Sequence, residues 1–136
     1  MFSRKDSKRL SSAVVLMCFF VTLTANAANG VFTASIDSQG KVMVQSPQWI
    51  KNVKHIPQAG YFSDYEIVLN AGVFERNPGF CSVSVTDLDS YDDIVSAHAK
   101  LAGTPTSHAV KVITQLIGDS AKEAGTSKSF MLMCVS

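Results

Sequence analysis

The chain has 136 residues, of which 46% are apolar and 17% are charged, and its formal net charge is +1. This length allows one domain at most once a targeting segment is set aside. The near-neutral charge does not suggest nucleic-acid binding, which requires a basic stripe, and the sequence shows no basic amphipathic face of the kind that binds membrane surfaces.

Residues 1–27 have the three zones of a cleavable secretory signal. Four Lys or Arg side chains at residues 4–9 precede an uncharged apolar run at residues 13–23, and Ala25 and Ala27 supply small residues before a cleavage site. The apolar run is shorter than the roughly 20 residues that span a bilayer. We therefore expect cleavage before Ala28. Cys18 is not expected to be a lipid-attachment site, because bulky Met17 precedes it and the apolar run continues beyond it.

The predicted mature domain, residues 28–136, contains two cysteines, Cys81 and Cys134. Four of the twelve basic residues and one of the eleven acidic residues lie in the signal, so the domain keeps 8 basic and 10 acidic side chains, a net charge of −2. A cysteine pair in an exported chain predicts a disulfide, with two buried free thiols as the alternative. A cross-link over this separation would stabilise the domain by roughly 4 kcal/mol in the chain-entropy description.

Apolar and polar residues alternate with a period of two along most of this domain, which predicts strands. In chain order, we expect a hairpin at residues 31–45, a strand at 49–54, a loop at 55–62, and strands at 65–69, 80–86, 108–116 and 130–135. Residues 94–100 fit either a strand or a short helix, and residues 118–128 fit a long polar loop or at most one helical turn at residues 120–124. Cys81 and Cys134 fall on the apolar sides of their strands. The prediction is an all-β fold, a single antiparallel β-sandwich of about seven or eight strands with one disulfide, or a barrel.

An acidic segment at residues 87–93 is the first candidate binding site. Clustered carboxylates are ligands for Ca²⁺, but the segment lacks the glycine and the bidentate glutamate of an EF-hand loop, so a solvated loop is the better interpretation. An aromatic ring among carboxylates is also typical of a tip that binds a sugar or a protein. The candidate ligand-binding residues are Asp87, Asp89, Tyr91, Asp92 and Asp93.

Trp49 and Tyr61 are candidate aromatic contacts, because exposed rings on a β scaffold stack on sugars or anchor protein partners. A core position is the default for Trp49. The three histidines lack the spacing of a zinc site. The sequence Gly118-Asp119-Ser120 is similar to the sequence around a nucleophilic serine, but a turn or a helix N-cap is the better interpretation. We predict no catalytic residue, no metal and no cofactor.

The chain resembles a class of small β-sandwich modules found at the C-terminal ends of phage tail-fibre-like, collagen-like and other bacterial surface proteins. The residues that carry the resemblance are Gly60, Tyr65, Ile67, Leu69, Gly72, Phe74, Pro78 and Cys81, followed by Phe130, Leu132 and Cys134. The resemblance implies a trimeric or tip-located module that binds surface glycans. This chain departs from the class because it has its own signal and no fibrous stem, which favours a free-standing secreted or periplasmic protein.

Three functions are compatible with these features. The first is a secreted or periplasmic, non-enzymatic binding protein that recognises a cell-surface glycan or an envelope protein, with a homo-trimer as the candidate assembly. The second is a structural or accessory subunit of a surface appendage or exported toxin, which would pair strands with a partner along an edge within residues 31–45. The third is an enzyme inhibitor.

Overall fold

The computed structural model describes residues 30–58, 60–86, 95–118 and 126–136. The predicted signal, the acidic segment at residues 87–93 and most of the polar segment at 118–128 lie outside these ranges. The described residues form eight strands: β1 Val31–Ile36, β2 Val42–Ser46, β3 Ile50–Gln58, β4 Phe62–Leu69, β5 Phe80–Val85, β6 Ala97–Leu101, β7 Ala109–Leu116 and β8 Phe130–Val135.

The strands form two four-stranded antiparallel sheets, which confirms the predicted sandwich. Sheet A has the order β2-β1-β8-β5, and sheet B has the order β3-β4-β7-β6. The first and last strands, β1 and β8, are neighbours at the centre of sheet A and pair along their full length, from Val31 opposite Val135 to Ile36 opposite Phe130.

The core lies between the two sheets and is built from the inward positions of the alternating pattern. Tyr65, Ile67 and Leu69 of β4 are buried, as the period of two predicts. Their partners across the core include Phe130 and Leu132 of β8, which are also buried. Burying these large side chains away from water supplies the main stabilising free energy of the fold.

The predicted loop at residues 55–62 is wrong, because β3 continues to Gln58 and β4 begins at Phe62. The amide of Tyr61 donates to the carbonyl of Gln58 at 3.1 Å and closes the hairpin. Pro57 lacks an N–H donor, but β3 is an edge strand and one side of it needs no partner. Proline therefore marks the edge of the sheet here and does not end the strand.

The ambiguous segment at residues 94–100 forms a strand over most of its length. β6 pairs with β7, and Ala99 lies opposite Thr114. Ala99 and Leu101 pack against the core while Lys100 is exposed. In a strand, Lys100 points away from Ala99 and Leu101, whereas a helix would not alternate these side chains between two sides. Pairing with β7 therefore determines the conformation of this segment.

Candidate functional site

The disulfide between Cys81 and Cys134 is present, and it links directly opposed residues of β5 and β8. Both cysteines are buried. Of the two arrangements considered from sequence, neighbouring strands or facing sheets, the structure has the first. The bond therefore ties an edge strand of sheet A to a central one. A disulfide is compatible with an oxidising, exported environment.

Trp49 is completely buried, so its ring cannot present a face to a ligand and the interpretation as a core residue is correct. The indole Nε1–H donates to the carbonyl of Thr33 at 3.0 Å, and the ring packs edge-on against Phe74. Trp49 thus joins the start of β3 to sheet A. The residue is structural.

Tyr61 is 64% exposed at the turn between β3 and β4. Its ring lies 4.9 Å from that of Phe62. It stays a candidate contact residue. Asp87, Asp89, Tyr91, Asp92 and Asp93 lie outside the described residues, so the predicted acidic loop remains a prediction.

A chain of hydroxyl groups runs from His55 into the core. His55 Nε2 is 2.9 Å from the Ser127 hydroxyl, which is 2.7 Å from that of Ser63, and Ser63 is 3.0 Å from the Thr126 hydroxyl. A histidine beside a serine is one element of nucleophilic catalysis. Here the serine oxygen is shared with buried Ser63. The network fastens residues 126–127 to β3 and β4.

Burial lowers the pKa of His55 below its usual 6.5, although the charge of Asp37 opposes this shift. The ring stacks on Tyr65 with 4.6 Å between centroids. Tyr65 in turn donates its hydroxyl proton to the carbonyl of Ser38 at 2.8 Å. The His55 ring is therefore packed against Tyr65, and burial favours its neutral form.

Among the described residues, no three His, Cys, Asp or Glu side chains lie together as a metal site would require. No helix in the same ranges is long and apolar enough to cross a membrane.

The outer side of sheet A is the most unusual surface in the part of the chain that the structure describes. The strand register places eleven side chains on it, and each is aliphatic, aromatic, thioether or hydroxyl. We call this surface the charge-free face; its residues are Val31, Thr33, Ser35, Val44, Ser46, Phe80, Ser82, Ser84, Met131, Met133 and Val135. Val31, Val44, Phe80, Met131 and Met133 are exposed.

The outer side of sheet B provides the contrast within the same molecule. Lys54 and Glu66 form an ion pair at 3.0 Å there, and the hydrogen bond from Lys54 lowers the pKa of Glu66. Register places five charged side chains on this surface: Lys54, Asp64, Glu66, Lys100 and Lys111. Solvation explains the sheet B surface. The outer side of sheet A has the same number of strands and carries no charged side chain, and six of its eleven side chains are apolar.

Sequence reasoning missed the charge-free face, although part of the signal was present. Serine at the outward positions of β5 and methionine at those of β8 were both readable from the alternation. What the pattern lacked was the strand order, since β5, β8, β1 and β2 come together only through pairings distant in sequence.

The edge predicted within residues 31–45 is only partly an edge. β1 is paired on both sides, and β2 alone lies at the border of sheet A. The β1–β2 register shifts beside Ile36, which leaves Met43 as an extra residue in a five-residue strand. A short, bulged edge is a poor template for strand addition.

No family model, no curated protein and no solved structure matches this chain. The resemblance to phage tail-fibre-like modules therefore stays a prediction.

Proposed function

We propose that this is an exported, non-enzymatic binding protein, and that its partner is a protein that docks on the charge-free face. The partner class comprises envelope or secreted proteins, including further copies of this chain. The observation that carries the proposal is the contrast between the two outer surfaces: eleven outward side chains of sheet A carry no charge, and five on sheet B do.

The chemistry of the face favours a protein over a glycan. Sugar sites combine stacking rings with carboxylate or amide groups that hydrogen-bond hydroxyls, and the face offers one ring, Phe80, among aliphatic and thioether groups. Methionine is flexible and polarisable, and it adapts its shape to apolar protein surfaces. A glycan bound near Tyr61 is the alternative, supported by the exposure of that ring at a hairpin turn.

Export is supported by the predicted signal at residues 1–27 and by the disulfide, which persists where thiols are not kept reduced. The proposal of a secreted or periplasmic destination rests on these two features together.

Photo-cross-linking tests the proposal. A benzophenone amino acid replaces Met131 in one variant and Ile56 in a matched control, because both side chains are 53% exposed, the first on the charge-free face and the second on sheet B. We expect covalent adducts to a defined protein, identified by mass spectrometry, from position 131 and not from position 56. Binding measured between purified proteins must then be lost in Met131→Lys and kept in Ile56→Lys.

Equal adducts from both positions, or a partner that binds Met131→Lys as well as the unchanged protein, would rule out this face. Retention on a glycan array that depends on Tyr61 would favour the glycan alternative.

A further inference from the structure

We propose that the charge-free face packs against the same face of a second copy of this chain, forming a twofold-symmetric pair of sandwiches. This inference rests on the proposed function and names the partner of that face. Three properties of the face support this inference: the heights of its side chains, its lack of charged groups and its fit to a twofold axis.

The face has a ridge between two grooves. Met131 and Met133 project from β8, while the neighbouring strand β1 presents Thr33 and Ser35. On the other side, β5 presents Ser82 and Ser84 opposite the same methionines. Over β1, between Val44 of β2 and Met131 of β8, a groove that also contacts Thr33 and Ser35 has a volume of about 410 Å³. Long side chains thus stand beside short ones in adjacent strands.

A surface with this relief is complementary to itself. The ridge and the groove over β1 are each one strand wide, about 4.8 Å. A second copy related by a twofold axis that runs parallel to the strands, between β1 and β8, therefore places its methionines over Thr33 and Ser35 of the first copy. The twofold axis makes the contact reciprocal, because each ridge then lies in the other's groove. Two sheets packed in this way stand about 10 Å apart, as in the interior of a sandwich.

The absence of charge removes the usual obstacle to self-association. Identical charged surfaces repel when they face each other, and like-charge contacts across an interface are costly. The two outward methionines and Val44 meet only uncharged groups in the opposite copy.

The symmetry favours a pair over a trimer. A closed trimer needs two different complementary patches on each copy, whereas a twofold pair needs one patch that fits itself. Sheet A provides one such patch. The inferred assembly therefore differs from the trimer that the resemblance to surface-protein modules implies.

The size of the face predicts a reversible pair. Four strands at about 4.8 Å and six residues at about 3.3 Å give a flat footprint of roughly 400 Å². Specific interfaces bury about 800 Å² of accessible surface per partner, so this footprint is about half of that area. The pair should dissociate on dilution.

Light scattering on a sizing column tests the inference with oxidised protein spanning residues 28–136. The unchanged protein is expected to approach the mass of two chains at high concentration and of one chain on dilution. Met131→Lys is expected to raise the dissociation constant about a hundredfold or more, since each copy would then bury an unpaired ammonium group in a desolvated interface. Ile56→Lys, with equal exposure and a neighbouring Asp64 on sheet B, should leave the constant unchanged. Far-UV circular dichroism and the unfolding midpoint confirm that both variants are folded.

If Met131→Lys proves unfolded, Ser84→Lys fills a groove on the same face and takes its place. A protein that stays monomeric at its solubility limit, a stable trimer, or a pair dissolved by Ile56→Lys and not by Met131→Lys would each overturn the inference. A monomer whose position 131 still cross-links to a foreign protein would overturn the inference and leave the proposed function standing. A monomer without such adducts would overturn both.

Discussion

Removing the disulfide should show how much of the stability of this domain comes from one covalent link. The bond joins residues 53 apart in the sequence, and closing a loop of that length stabilises the folded state by about 4 kcal/mol. Because the total for a small domain is about 5–15 kcal/mol, the variant Cys81→Ala/Cys134→Ala should lose a quarter or more of its free energy of unfolding. Alanine is the better replacement, since both sites are buried and serine would add an unpaired hydroxyl.

Urea denaturation followed by tryptophan fluorescence gives the measurement, since Trp49 is the single tryptophan of the chain and is fully buried. The variant should unfold at lower urea with a larger dependence on urea concentration, because its denatured state is less compact. Reductant should shift the unchanged protein in the same direction and leave the variant unaffected. A loss below about 1 kcal/mol would refute the reasoning, because the chain-entropy description gives about 4 kcal/mol for a loop of this length.

Three further predictions follow from single contacts. Trp49→Phe removes the donor to the Thr33 carbonyl and leaves a cavity, so the free energy of unfolding should fall by about 2–4 kcal/mol; an unchanged melting temperature by circular dichroism would contradict this role. Gln45 accepts both the Trp49 and Ile50 amides through Oε1, at 2.9 and 2.7 Å. Gln45→Leu should therefore cost about 2–4 kcal/mol in urea denaturation by stranding two part-buried donors, whereas Gln39→Leu at an exposed turn should cost little. Burial holds the pKa of His55 below 6.5, so its neutral ring contributes stability that is complete above pH 6.5 and is lost as the pH falls towards the folded-state pKa; the difference between the unchanged protein and His55→Gln should show this dependence, and a difference independent of pH would disprove it.

Most of the fold was predictable because alternation is a local signal. The inward positions of Cys81, Val83, Leu132 and Cys134 follow from a period of two, and predicting them does not require knowing which strands are adjacent. The error at residues 55–62 arose where a local rule and the position in the sheet disagree. Pro57 predicts a break when it stands inside a sheet, and it is harmless on an edge.

The candidate site was less accessible to sequence reasoning because it is a property of four strands at once. Each strand taken alone shows two or three uncharged outward residues, which is unremarkable. These outward residues form one continuous surface only because the four strands are adjacent in the order β2-β1-β8-β5. That order depends on contacts between distant parts of the chain, such as Val31 with Val135.

The two ends of the described domain meet in the folded molecule. The amide of Gly30 donates to the Ser136 hydroxyl at 2.8 Å, and the amide of Ser136 donates to the carbonyl of Gly30 at 3.2 Å. β8 supplies a neighbour to both β1 and β5, so sheet A stays incomplete until residues 130–135 are available for pairing. Sheet B needs only residues 50–116 and can pair earlier. Of the two sheets, sheet A is therefore the one completed later along the chain, and a short linker from residue 136 back to residue 30 should allow the chain to be opened at another turn without changing the fold.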